Sequence, residues 1–335
     1  MPVRIYTDKD ADLAWLKGKT CAVIGFGSQG HAQALNLRDS RVNVIVGLYP
    51  KSKSRLAARR HGFKVFDTAD AVRRGDIIFL ALPDTKTPSV YRKEIGPNLR
   101  PGQALLFAHG FVIHYRTVVP RKDIDVVMVA PKGLGPMVRR QFENGRGVPA
   151  LIAIHRDVSG RAKKIALAWA KAIGSTRAGV IETTFREETE TDLFGEQAVL
   201  CGGTSALVRA GFETLVKAGY PAELAYFECL HELKFIVDLM HEAGLSGMRA
   251  LISDTAKWGE LTVGPRIIDG HVRKQMTHVL RDIRSGKFAK GFIREMTTGQ
   301  KNLRRLIRSQ NAHPIERVGR KLRRQRVSGK KNNQP

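Results

Sequence analysis

The sequence predicts an α/β chain in which a doubly wound, mostly parallel sheet is followed by an all-helical domain. Three observations lead there. Short apolar runs alternate with helical patterns through the first half. A Gly-x-Gly-x-x-Gly turn joins one such run to the next helix. Strand patterns then stop after about residue 182, and helical periodicity takes over. A chain of 335 residues can bury two cores of ordinary size. The expected division is residues 1–182 for the sheet domain, 183–327 for the helical domain and 328–335 for a basic, disordered tail.

Taken in order, Thr20-Cys21-Ala22-Val23-Ile24 is a short apolar run between Gly18 and Gly25, as a strand buried on both faces should be. Gly25-Phe26-Gly27-Ser28-Gln29-Gly30 follows, and then apolar spacing through Ala34, Leu35 and Leu37 marks a helix. In that context Gly25 permits the tight turn, Gly27 lets backbone approach a pyrophosphate, and Gly30 allows close helix–strand packing. The first domain is therefore expected to be a Rossmann-type nucleotide-binding domain.

The second strand, Val42 to Leu48, leads into Tyr49-Pro50-Lys51-Ser52-Lys53-Ser54-Arg55. An NAD site normally carries a carboxylate there for the ribose hydroxyls. Three cations and two hydroxyls suit a 2′-phosphate instead, so the expected cofactor is NADP(H). Further strands are expected at Lys64 to Phe66, Asp76 to Leu82, Ala104 to Ala108, Val126 to Ala130 and Leu151 to Ile154. Ligands bind at the carboxyl ends of such strands. Asp84, His109 and Lys132 all follow strands in this way and are candidates for the reaction centre.

In the helical half, breaks are expected at Gly219-Tyr220-Pro221, Gly244 and Gly264-Pro265. Two carboxylate pairs stand out, Asp192 with Glu196 and Glu228 with Glu232, each four residues apart. At α-helical pitch that spacing puts both members on one face. Four converging carboxylates would make an oxygen cage for one or two Mg²⁺ ions. Two solvated acidic helix faces fit the spacing equally well. Acidic residues are scarce in this chain, yet Glu182, Glu187, Glu188, Glu190, Asp192 and Glu196 crowd together, which favours the cage.

Composition narrows the class further. With 42% hydrophobic and 26% charged residues this is a globular composition, and no stretch is apolar for long enough to span a bilayer. The N-terminus has no signal-peptide core, so a cytoplasmic protein with no membrane association is expected. Cys21, Cys201 and Cys229 have no paired spacing and are read as small packing residues. The net charge of +26 is spread along the chain and densest from Arg304 through Lys331. No zinc pattern or aromatic-interleaved RNA motif accompanies it, so a solvated basic surface that attracts anionic ligands is expected rather than a nucleic-acid partner.

Together these stretches resemble the ketol-acid reductoisomerase (acetohydroxy acid isomeroreductase) family in its short form, from Tyr6-Thr7-Asp8 to His313-Pro314-Ile315-Glu316. Gly25 through Ala32, His109-Gly110-Phe111 with His114, Glu188 through Gly203, and Ala225 through Lys234 carry the resemblance. It implies an NADPH-dependent enzyme with two Mg²⁺ ions per active site. Its substrate would be a small 2-hydroxy-3-keto acid, 2-acetolactate or 2-aceto-2-hydroxybutyrate. Alkyl migration and reduction would give a 2,3-dihydroxy acid for valine and isoleucine biosynthesis.

By the same resemblance, Asp192, Glu196, Glu228 and Glu232 are the metal ligands, with Asp192 shared, and His109, Lys132 and Glu232 the catalytic residues. Ser253 is a substrate contact. Cofactor contacts fall on Gly25 to Gly30 (Phe26, Ser28 and Gln29 included), Lys51, Ser52, Ser54, Asp84, Thr85, Lys86, Thr87 and Gly135. The family's helical domain is knotted and intertwined with a second copy, so a homo-oligomer, a dimer or an assembly of dimers, is expected. Tyr49 stands where the family usually has an arginine, and Lys257 and Trp258 replace an acidic residue and a tyrosine. In the loop after Lys132, Leu134 and Pro136 replace a proline and a histidine. A metal-free NADP-dependent 3-hydroxy acid dehydrogenase would share the two domains without needing the four carboxylates.

Overall fold

The structure, a computed structural model, describes residues 3–331. Its chain divides into two compact units, one ending at Thr191 and the other starting at Asp192. That division falls inside the helix Phe185–Phe194, later than the change of texture read at residue 182.

The first unit is built on nine strands: β1 (Ile5–Tyr6), β2 (Thr20–Ile24), β3 (Asn43–Gly47), β4 (Lys64–Phe66), β5 (Ile77–Leu80), β6 (Ala104–Phe107), β7 (Asp125–Pro131), β8 (Ala150–Arg156) and β9 (Val180–Thr183). They form one sheet in the order β1-β9-β8-β7-β6-β5-β2-β3-β4. From β4 to β7 every pairing is parallel, and the chain order reverses at β2 and β5. A crevice opens at such a switch point, and the glycine turn leaves β2 there. All four residues of β5 and of β6, and all seven of β7, are buried, which is why these strands read as unbroken apolar runs.

Two strands escaped the sequence reading. β1 has only two residues, too few to show alternation, and β9 (Val-Ile-Glu-Thr) is half polar. Beyond β7 the sheet ceases to be parallel throughout, because β8 runs antiparallel to β7 and β1 antiparallel to β9. Buried polar groups hold the first helix, Ser28–Asp39, against the sheet layer. Trp169 Nε1 donates to Gln33 Oε1 at 2.8 Å, and Asn36 Nδ2 donates to the Ile173 carbonyl at 3.1 Å. Because both partners would be costly to leave unpaired, the entry angle of this helix is well determined.

The second unit is helical. A small core of Val208, Phe212, Ala225, Tyr226 and Ile315 joins Gly202–Lys217 and Ala222–Tyr226 to the last helix, Pro314–Lys331. Arg323 Nη1 donates to the Tyr226 hydroxyl at 3.2 Å, and Lys321 pairs with Glu223 at 2.9 Å. The stretch expected to be a disordered tail begins inside this helix, which continues to Lys331, and 332–335 lie outside the described residues. Arg, Lys and Leu are good helix formers, and cations suit a helix C-terminus.

Two of the three expected breaks are present. Gly219 has φ 93°, and Gly244 (φ 70°, ψ 178°) kinks Leu233–Leu251. The third is not: Gly264 and Pro265 lie within the helix Asp254–Ile267. Pro265 sits only three residues from its end, where little of the helix remains to be disturbed. The cysteine reading holds for Cys21, which is buried, but Cys201 is exposed and Cys229 half-buried. Among the described residues no helix is long and apolar enough to cross a membrane.

Candidate active-site residues

The glycine turn has the shape its spacing requires. Gly25 is left-handed at φ 102°, and a side chain there would overlap the Ala81 carbonyl at the end of β5. A side chain on Gly30 would overlap the Gly25 carbonyl, so this glycine lets helix and turn pack closely. Gly27 differs from both, since a Cβ there would meet no atom within 4 Å. The protein's own packing does not explain Gly27, whereas a pyrophosphate lying over the turn does. Two bonds tie the turn to the loop after β7: Gln29 Nε2 donates to the Gly133 carbonyl at 2.9 Å, and the Gly135 N–H donates to Ser28 Oγ at 3.1 Å.

The expected 2′-phosphate loop follows β3 and is a tight turn. The Ser52 N–H donates to the Tyr49 carbonyl at 3.0 Å, and Ser52 Oγ accepts from the Ser54 N–H at 3.3 Å. Ser52 Oγ thereby keeps its own proton for an anion, and Lys51 and Lys53 are exposed beside it. Asp84, Thr85 and Lys86 lie in the turn after β5. Thr87 is buried, and its hydroxyl donates to the Pro83 carbonyl at 3.0 Å, so it holds that turn from within.

His109 follows β6 and Lys132 follows β7, on neighbouring parallel strands. Glu188 joins them. One of its oxygens accepts from Lys132 Nζ at 2.9 Å, and the other accepts from the Gly110 N–H at 2.9 Å and lies 3.0 Å from His109 Nδ1. Gly110 must be glycine, because a side chain would run into the Phe185 carbonyl and Thr189. Glu188 is only 1% exposed. Burial, the largest influence, pushes its carboxyl up, yet hydrogen bonding and charge from His109 and Lys132 outweigh this and hold it below its usual range. A buried carboxylate in this setting fixes the direction in which both side chains point.

Glu188 is the residue that sequence reasoning did not assign. It was visible as one of a crowd of acids, but nothing in its spacing set it apart. Its partners are 56 and 79 residues away, a relation only the sheet order reveals.

The helix bearing Glu188 carries Asp192 one turn further on. Here the structure alters the expectation of ordinary α-helical pitch. Glu196 lies in a π-helical segment, Gly195–Leu200, and Glu228 in another, Phe227–His231, with Glu232 directly after it. The wide turns are explicit in their bonds: the Cys201 N–H reaches the Glu196 carbonyl, and the Glu232 N–H the Phe227 carbonyl, both at 3.0 Å and five residues back. Such single wide turns in α-helices are frequent at functional sites. Both acidic pairs thus straddle a backbone irregularity of the same kind. Asp192 is half-buried, while Glu196, Glu228 and Glu232 are exposed. Carboxylate oxygens are the donors a hard divalent cation takes, so the residues present fit Mg²⁺.

Ser253 caps the helix Asp254–Ile267, its Oγ accepting from the Ala256 N–H at 3.2 Å. That is what a bare serine at a helix start predicts.

Comparison with known proteins supports the same identity along the chain. Residues 15–179 match the family described as acetohydroxy acid isomeroreductase, NADPH-binding domain, and residues 185–328 match ketol-acid reductoisomerase, C-terminal domain. A ketol-acid reductoisomerase (NADP(+)) from Chloroherpeton thalassium is 56% identical over 96% of this chain and 95% of its own length. The structure of an NADH-preferring ketol-acid reductoisomerase from an uncultured archean superposes with a TM-score of 0.94 at 43% identity, covering 96% of this chain and 98% of that one. A semialdehyde dehydrogenase NAD-binding protein from Cupriavidus necator shares the fold, with a TM-score of 0.60 at 20% identity over 80% of this chain and 99% of that one. The chain belongs to the ketol-acid reductoisomerase family, oxidoreductases with an isomerase step.

Proposed function

We propose that this chain converts 2-acetolactate, and 2-aceto-2-hydroxybutyrate, to 2,3-dihydroxy acids with NADPH and Mg²⁺, as an enzyme of valine and isoleucine biosynthesis. Family membership supports the reaction class. The observation that carries the chemistry is the buried Glu188 holding His109 and Lys132 at the carboxyl edge of the sheet.

The reaction has two parts. The 2-hydroxyl of the substrate loses its proton, and an alkyl group migrates with its electron pair to the adjacent carbonyl carbon, whose oxygen gains a proton. The new 2-ketone then takes up a hydride and a proton. When bound, Mg²⁺ would supply Lewis acidity for the neighbouring substrate oxygens and NADPH the hydride. Asp192, Glu196, Glu228 and Glu232 would hold the ions. Lys132, aimed by Glu188, donates a hydrogen bond to the substrate oxygen at the migrating centre. His109 is held by the same carboxylate as its neighbour. Glu232 or Glu196 takes the hydroxyl proton through a water. Ser253 would contact the substrate carboxylate, an assignment resting on the family resemblance.

The cofactor contacts proposed are Gly25 to Gly30, Lys51, Ser52, Ser54, the Asp84–Lys86 turn and Gly135. The functional protein is proposed to be a homo-oligomer acting on small molecules. NADPH oxidation with 2-acetolactate, measured with and without Mg²⁺, tests the reading. Turnover is expected only with the metal, and turnover surviving exhaustive chelation would favour a metal-free dehydrogenase instead.

A further inference from the structure

The carboxyl end of β3 opens on a cleft of about 730 Å³ lined by Lys51, Ser52, Lys53, Arg55, Arg59 and Asp67, among others. Four cations face one carboxylate there, so the cleft is built for an anion. The cations are not alike. Lys51, Lys53 and Arg59 are exposed and make no side-chain hydrogen bond among the described residues. Arg55 is anchored: its Nη1 donates to Asp67 Oδ1 at 2.7 Å and to the Leu48 carbonyl at 2.8 Å, and its side chain is only 19% exposed. Every recorded bond of this guanidinium uses Nη1, leaving Nε and Nη2 for a second partner.

We propose that Arg55 selects NADP(H) over NAD(H) in this chain, with Asp67 as its positioning residue. The inference rests on the NADP(H) reading above. It also answers the question raised by Tyr49, which is exposed where the family usually places an arginine. The Tyr49 carbonyl and the Arg55 guanidinium are neighbours, 3.5 Å apart, so Arg55 brings a guanidinium back to the position that Tyr49 leaves without one. An anchored guanidinium loses less freedom on binding than a waving lysine, and its planar fork matches two phosphate oxygens at once. NAD(H) has no 2′-phosphate and should be indifferent to it. The question is live for this family, since one relative is named for NADP(+) and a solved one for NADH.

The test is calorimetric titration of the full chain with NADP⁺ and NAD⁺, with kcat/KM for NADPH and NADH beside it. Arg55→Gln is expected to weaken NADP⁺ about tenfold or more and leave NAD⁺ unchanged. Unchanged NAD⁺ affinity also shows that the variant is folded. Arg55→Lys keeps the charge but cannot hold Asp67, Leu48 and phosphate together, and should fall between. Asp67→Asn should weaken NADP⁺ by a smaller factor, and that loss should vanish in the Arg55→Gln background. If Asp67→Asn instead tightens NADP⁺, the carboxylate only repels phosphate and its positioning role is wrong. A wild type that binds both dinucleotides equally sinks the NADP(H) reading and this inference with it. A wild type that prefers NADP⁺, with an unchanged ratio in Arg55→Gln, sinks this inference alone.

Discussion

The two units of this chain bury their apolar residues to very different degrees. In the nucleotide unit, strands β5, β6 and β7 are buried without exception, and large side chains such as Trp169, Phe79 and Phe111 are wholly enclosed. In the helical unit the described core is five residues with a few partly buried neighbours. Leu200, Leu251, Trp258 and Leu261 stand more than half exposed, and no residue of the helix Asp254–Ile267 is buried. A short helix with no buried face has little to hold it in water. Apolar exposure on this scale is what an obligate interface looks like when one side is removed. One unit carries its own core, and the other is shaped to be completed by a further surface, for which a second copy is the proposed occupant.

That contrast predicts a division of labour that mutation can break. Glu228→Gln, in the helical unit, should lower kcat for Mg²⁺-dependent isomerisation at least about a hundredfold while NADPH affinity stays as it was. A variant that rearranges acetolactate at the wild-type rate would remove the metal assignment.

Glu188→Gln strikes the nucleotide unit from inside. Taking the charge from the buried partner of Lys132 and His109 should cost about 3 kcal/mol of stability and most of the activity. The pH dependence has a definite sign. A carboxyl whose folded-state pKa is depressed stabilises the fold above its unfolded value, ordinarily 4.5, and loses that contribution as pH falls through the lower folded value. Denaturant midpoints of wild type and variant should therefore differ most near neutrality and converge in acid. Curves that run parallel from pH 7 to pH 3 would show that the charge on Glu188 is not what holds the cluster.

The same contrast decides what the sequence could show. The sheet was legible because buried parallel strands are written as unbroken apolar runs, and seven of the nine announced themselves so. β1 and β9 did not, being short or half polar at the edge of the sheet. Metal-ligand candidates were legible from i,i+4 spacing in an acid-poor chain, but the π turns at Gly195–Leu200 and Phe227–His231 were not. A π turn depends on which carbonyl an N–H chooses, and residue type hardly constrains that choice. Glu188 was hidden for another reason: its role comes from partners far away in sequence, which only the sheet order brings beside it.

A third variant probes the exposed apolar face directly. Leu261→Glu places a charge on a side chain 57% exposed in the single chain. If that surface is covered in the functional assembly, self-association should weaken by roughly 2 kcal/mol or more, about thirtyfold in Kd. Sedimentation velocity across a dilution series reads this. An unchanged distribution of species would place the interface elsewhere.

The smallest expected effect separates packing from ligand binding within one turn. Gly25→Ala and Gly30→Ala should both lower Tm, because each new Cβ overlaps a backbone carbonyl and Gly25 is also left-handed. Gly27→Ala is different in kind. Its φ of −88° suits any residue, and the added methyl meets no protein atom within 4 Å. Stability should stay within about 0.5 kcal/mol of wild type, as for an unstrained surface change. The methyl would instead occupy the space where a pyrophosphate must approach backbone N–H groups, so NADPH affinity should fall about tenfold. Unchanged Tm with weakened NADPH is thus the signature that this opening exists for the cofactor. A Gly27→Ala protein that melts early and binds normally would assign Gly27 to the fold, as with its two neighbours.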